Sequence, residues 1–218
     1  MRKNLLAVGE IYHIYTKSIA KYKIFNNDSE FLRMMNVIRY YQKANPVIKF
    51  SDFIKSAEVK QNYPNIDISI PEEEKLIEII AYCFMPTHIH LILKQLKKNG
   101  VSIFMGKALN SYTRYFNIKH KRKGPLWEGK FKNILIENDE QLLHLTRYIH
   151  LNPATAYLVD KPEEWLWSSH KEYLSRATHK ICKYSAILDI EPNSYRKFAE
   201  DRISYQRELA KIKDLLIE

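Results

Sequence analysis

Hydrophobic and polar residues alternate along GEIYHIYTK, residues 9–17, with the period of two that marks a strand. NDSEFLRMMNVIRYYQKAN, residues 27–45, then repeats its apolar positions at helical spacing behind Asp28 or Ser29, either of which suits a helix cap. Residues 45–75 break the pattern. Pro46, Pro64 and Pro71 sit there in mixed charge, which reads as an irregular insertion with a short helix near FSDFIKSAEV and little chemistry. KLIEIIAYCF and HIHLILKQ are β-branched runs separated by Met85, Pro86 and Thr87, predicting two strands joined by a tight turn. After Asn99 and Gly100, VSIFMGKALNSYTRYFNIKH predicts a helix, KRKGPLWEG a loop and KFKNILIE a strand. Asn138 or Asp139 caps a last helix, EQLLHLTRYIHL. It is expected to stop where Asn152 precedes Pro153, because proline disfavours helical geometry in the residue before it.

The order β-α-β-β-α-β-α is the ferredoxin-like arrangement. It predicts an α+β fold, an antiparallel sheet with helices on one face, plus one further helix. The domain is expected over residues 1–160. Residues 161–218, with Trp165, Trp167 and a charged stretch from Ser194, read as a C-terminal helical extension.

Composition narrows the class. A chain of 218 residues that is 45% hydrophobic can bury one ordinary core. Its net charge of +10 points to a polyanionic partner, with nucleic acid first. The charge is concentrated: between Met105 and Asn133 lie Lys107, Arg114, Lys119, Lys121, Arg122, Lys123, Lys130 and Lys132, against Glu128 alone. Tyr112, Tyr115, Phe116 and Trp127 are interleaved with them, and aromatics among cations suit unstacked bases as well as phosphates. Trp127 is equally suited to closing the core. Two distant cysteines, Cys83 and Cys182, indicate neither a disulfide framework nor a zinc cluster. No apolar run reaches the ~18 residues of a membrane span and the N-terminus lacks a long apolar region, so a cytoplasmic protein without membrane association is expected.

The chemistry centres on HIHLILK. On a strand, His88 and His90 project from the same face roughly 7 Å apart and can converge on one ion, while Ile89 packs on the other side. Alone, this spacing fits a half-exposed polar strand equally well. A partner lies in LTRYIHLNP, where Tyr148 and Asn152 are four apart and share one helical face, with His144 one turn earlier. Two imidazoles, the Asn152 amide oxygen and water suit Mg2+ or Mn2+ with open positions better than structural zinc.

MPTHIHLIL, GPLWEGKFK, RYIHLNPA and WLWSSHKEY, in that order, resemble the single-tyrosine HUH transposases of the IS200/IS605 type, especially the relatives associated with repetitive extragenic palindromes. The resemblance runs from about Tyr12 to about Tyr173. It implies the HUH endonuclease fold, His88, His90 and Asn152 as metal ligands, and Tyr148 as the nucleophile. Thr87 stands where such sequences often carry Asn, and Lys17 where the first strand often ends in Arg. The implied activity is cleavage and transfer of single-stranded DNA through a 5′-phosphotyrosine. The implied partner is DNA with hairpin or palindromic ends, bound by a monomer or homodimer, and the basic segment with Tyr115 and Trp127 is the expected DNA surface. Two other classes fit the same residues: a host-adapted protein that binds palindromes without transposing, and a metal-dependent hydrolase in which Tyr148 is incidental.

Overall fold

The structure is a computed structural model that describes residues 6–56, 59, 68–178 and 180–215. Pro64, named above, lies outside the described residues. The strands are β1 (Ile11–Lys17), β2 (Ile77–Met85), β3 (His88–Gln95) and β4 (Lys132–Ile136). Helices α1 (Asp28–Tyr40), α2 (Phe50–Phe53) and α3 (Gly100–Lys119) precede β4. Four more follow it: α4 (Asp139–Thr155), α5 (His170–Tyr173), α6 (Pro192–Glu200) and α7 (Ile203–Leu215). The sheet order is β2-β3-β1-β4 with every pair antiparallel, the ferredoxin-like order expected from the sequence.

Strand alternation divides the sheet between two cores. Tyr12, Ile14, Phe84, Ile89 and Leu91 face α1 and α3 and join Met34, Val37, Phe104 and Phe116 in the first. Cys83, Met85 and Ile92 face the other way and join Leu142 and Ile149 of α4 in the second. The two crossover helices thus share one face, as read from the pattern, while the further helix covers part of the opposite face.

Residues beyond 160 complete both layers. Trp165 and Trp167 pack on the first core, and Tyr173, Leu174, Leu188 and Tyr195 are buried in the second. Backbone bonds from Phe84 N to Trp167 O (2.9 Å) and from Lys183 N to Ile79 O (2.8 Å) cover the outer edge of β2, which would otherwise offer unpaired backbone groups.

Two local readings are corrected. The first residue of α1 is Asp28, so the cap position falls on Asn27, one residue before the expected pair. Helix α4 does not stop before Pro153 but runs to Thr155, behind an Asn138 cap whose side chain accepts from Gln141 N at 2.8 Å. Pro153 has no N–H for the carbonyl of Ile149. The Asn152 amide reaches that carbonyl (3.5 Å) and the carbonyl of Tyr148 (2.9 Å), which supports the extra turn.

Buried histidines make the fold acid-sensitive. His170 is fully buried and burial, with the nearby Arg196 charge, holds its pKa at about 4. Between pH 6.5 and 4 the unfolded chain therefore binds a proton that the folded chain does not, so stability falls as pH falls. For His170 alone the loss on going from pH 7 to pH 5 is about 2 kcal/mol. Urea unfolding at the two pH values reads the summed loss from the buried histidines, of which this is one part, and an unchanged midpoint would contradict their neutral burial.

Candidate active site

The register of β1 against β3 and β4 builds the centre of the site. Lys17 pairs with His88 and Tyr15 with His90, while Tyr15 also pairs with Lys132 on β4. Paired residues share a face, so both histidines, Tyr15 and two lysines gather on one side of the sheet, with Ile89 buried on the other. The His88 and His90 rings stand edge to face with centroids 5.1 Å apart. The Lys132 ammonium lies 5.9 Å from the centre of the Tyr15 ring.

Hydrogen bonds set which nitrogens of the pair remain available. His13 Nε2 lies 2.9 Å from His90 Nδ1, and Thr87 Oγ1 lies 3.0 Å from His88 Nδ1. Nε2 of each histidine is left for another partner. Burial, with the Lys17 charge beside it, lowers the His88 pKa to about 4. Burial also pushes His90 well below the usual value, with smaller effects from His88, His13 and Lys17. Both rings are neutral at pH 7, the form that ligates a metal without first losing a proton.

Helix α4 brings the second half of the site. Ile149 and Leu142 anchor it in the second core, which leaves Tyr148 at the margin, 43% exposed, with its ring edge-on to His90 at 6.0 Å. Burial raises the Tyr148 pKa, and Tyr15 raises it further. Asn152 spends its Nδ2 on carbonyls of its own helix, which leaves Oδ1 uncommitted. His144 lies 2.7 Å from Arg147 Nη2 with its ring against Phe198 of α6.

The C-terminal segment braces α4. His150 is fully buried between Tyr195 Oη (2.6 Å) and Ser169 Oγ (2.7 Å), and Ser169 Oγ accepts from Tyr82 N in β2. Arg147 donates to Phe198 O, and Arg207 Nε donates to Ala154 O at 2.9 Å.

The ten cationic and aromatic residues of the basic segment do not form one patch. Lys107, Arg114, Tyr115 and Lys119 lie on α3, across the sheet from the histidines. Lys107 donates to Ala44 O, and Lys119 pairs with buried Glu30 at 2.9 Å. Arg122 bonds the carbonyls of Gly124 and Pro125 and so shapes its own loop. Trp127 packs on the first core and donates to Thr113 Oγ1. Lys121, Lys123, Lys130 and Lys132 are exposed, and Lys132 stands beside the site.

The sequence reading did not single out His13 or Tyr15, which the structure places beside the histidine pair. The signal was present: they alternate with the buried Tyr12 and Ile14, and β1 is the neighbour of β3 in a ferredoxin-like sheet.

The four central residues also fall within one sequence match. Residues 47–152 match the family described as Transposase IS200 like. This part of the chain is similar to the IS200-like transposases. A Haemophilus influenzae protein that carries the name REP-associated tyrosine transposase is 29% identical over 103 residues, 42% of this chain. That match spans 58% of the relative's own length. The solved structure of a REP-associated tyrosine transposase bound to a REP hairpin superposes with a TM-score of 0.51, covering 88% of this chain and 95% of that one at 16% identity. The backbone likeness shows a shared fold. The IS200-like stretch contains His88, His90, Tyr148 and Asn152, whereas β1, with His13 and Tyr15, precedes it. Among the described residues no helix is long and apolar enough to cross a membrane.

Proposed function

We propose that this chain cleaves and rejoins single-stranded DNA as a transposase, with Tyr148 as the nucleophile. The observation that carries this reading is the Tyr148 ring edge-on to His90 of the His88 and His90 pair, on one face of one chain. Attack by Tyr148 Oη on the scissile phosphorus forms a bond to the phenolic oxygen and breaks the bond to the 3′ oxygen. The products are a 5′-phosphotyrosine and a free 3′-hydroxyl; the phenolic proton passes to water and the departing oxygen takes one up. Attack by another strand's 3′-hydroxyl reverses the step and joins strands without ATP.

The phenol needs help. Its raised pKa leaves less than about a thousandth ionised at pH 7, so the phosphate must already be polarised. The residues present fit a Mg2+ or Mn2+ ion. His88 and His90 would offer neutral Nε2 atoms and Asn152 its Oδ1. Two imidazoles and an amide oxygen would leave positions for phosphate and water. When bound, such an ion polarises the phosphate as a Lewis acid. His13 holds His90 by its Nδ1 and thereby aims Nε2 outward. His13→Ala is expected to weaken Mn2+ binding ten- to a hundredfold in calorimetry on the protein alone, and His13→Gln to restore part of it. Equal affinity for all three proteins would remove this role.

The substrate proposed is single-stranded DNA with hairpin or palindromic ends, met in the cytoplasm; the REP hairpin in the structurally similar transposase supports that choice. Residues 1–160 form the proposed catalytic domain and 161–218 its brace. Tyr148 and His90 adjoin within a single chain, so the proposed cleavage uses the chain's own tyrosine, in a monomer or a homodimer. The test is a denaturing gel of the protein incubated with Mn2+ and an end-labelled hairpin. Label downstream of the cut is expected to migrate with the protein and upstream label to be released. Absence of any adduct would refute the reading.

A further inference from the structure

A groove of about 660 Å3 lies between α1, α2 and α3, on the opposite side of the sheet from His88 and His90. Arg33, Lys49, Lys55, Lys107, Arg114 and Lys119 line it, and no carboxylate does among the described residues. Its apolar surface comes from Tyr41, Ile54, Tyr115 and Ile118, the last 80% exposed. Lys119 pairs with Glu30 at 2.9 Å and Lys55 with Asp52 at 3.7 Å, both acids lying outside the lining. The groove therefore keeps a strong positive excess above an apolar floor. The Arg33 guanidinium lies 4.5 Å from the Phe50 ring centre and 4.9 Å from that of Tyr115, which presets one wall.

We propose that this groove is a second DNA site, holding the sugar-phosphate backbone of the substrate away from the cleaved bond, with an unstacked base against Tyr115. The inference rests on the DNA-cleaving reading for its ligand, and the charge selects DNA independently, since cations over an aromatic floor suit phosphates and bases together. From Lys107 to Lys119 the groove follows α3 for about 18 Å, long enough for about three successive phosphates of an extended single strand. It also leads somewhere. The C-terminal end of α3 passes into the exposed Lys121 and Lys123, and the same loop then bonds the end of β1 and the turn after it, through Glu128 N to Lys17 O and Ile19 N to Leu126 O, each 3.0 Å. Lys17 is the register partner of His88. A strand seated in the groove can thus follow cations round the end of the sheet to the catalytic face. Lys49 and Lys55 come from the segment that interrupts the sequence pattern between α1 and β2, which gives that insertion a function.

Lys49→Glu combined with Lys55→Glu is expected to weaken binding of a hairpin with a single-stranded flank at least tenfold. The slope of log affinity against log salt should fall by about 2. The charge-matched control is Lys97→Glu with Lys98→Glu, exposed residues in the turn before α3, at the opposite end of β3 from His88. Equal weakening in both proteins, or in neither, would overturn the groove. In the wild type, a halogenated deoxyuridine placed in the flank should photo-crosslink to peptides containing Tyr41 or Tyr115. Crosslinks confined to β1, β3 and α4 would also overturn it. The two readings fail separately: groove-dependent affinity without a wild-type adduct sinks the cleavage reading alone, and an adduct with unchanged affinity in the groove variant sinks the groove alone.

Discussion

Tyr148→Phe is expected to bind hairpin DNA and Mn2+ like the wild type yet to form no covalent adduct, a loss of at least about 10³-fold. Only a hydroxyl is removed, from a side chain at the margin of the core, so the fold should be unaffected. Tyr112 and Tyr115, in the basic helix, are the natural controls. Tyr112 is fully buried with its hydroxyl donating to Ile24 O, and burial pushes its pKa far up. Tyr112→Phe should cost about 1 kcal/mol of stability and retain the adduct. Tyr115 lines the groove on the far side of the sheet, so Tyr115→Phe should also retain the adduct. Denaturing gels of the three proteins with labelled hairpin and Mn2+ decide the matter. An adduct from Tyr148→Phe, or one carrying the upstream fragment, would overturn the nucleophile or the polarity respectively.

His88→Ala and His90→Ala are each expected to abolish metal-dependent cleavage, but they should differ in stability. His88 is half-buried, and its loss leaves only Thr87 without a partner. His90 is 6% exposed and holds His13, so its removal leaves a buried imidazole with one bond fewer and a small cavity, costing about 1–3 kcal/mol. Both losses are read by combining the adduct assay, Mn2+ titration and thermal unfolding. Full activity of either variant after EDTA treatment would refute the metal assignment. Asn152→Ala should weaken metal use less than either, because water can replace an amide oxygen, while also freeing the carbonyls of Tyr148 and Ile149.

Periodicity alone was sufficient for the sheet. Each strand carries its own alternation or β-branched run, and the antiparallel ferredoxin-like order follows from the sequence of elements with few alternatives. The spacing of His88 and His90, and of Tyr148 and Asn152, is equally local, because strand and helix geometry place each pair on a common face. What periodicity cannot carry is contact between residues far apart in the chain. His13 and His90 are 77 positions apart and meet only because β1 enters the sheet beside β3 in one register. Pro153 reads locally as a helix stop, and α4 continues because the preceding asparagine and the brace from α6 and α7 outweigh the local preference. The basic segment looks like a single surface in sequence, but a helix on one side of the sheet and a loop that returns to the other divide it. Local chemistry therefore named the candidate residues, and the packing of distant strands and helices decided how they are aimed, braced and supplied with neighbours.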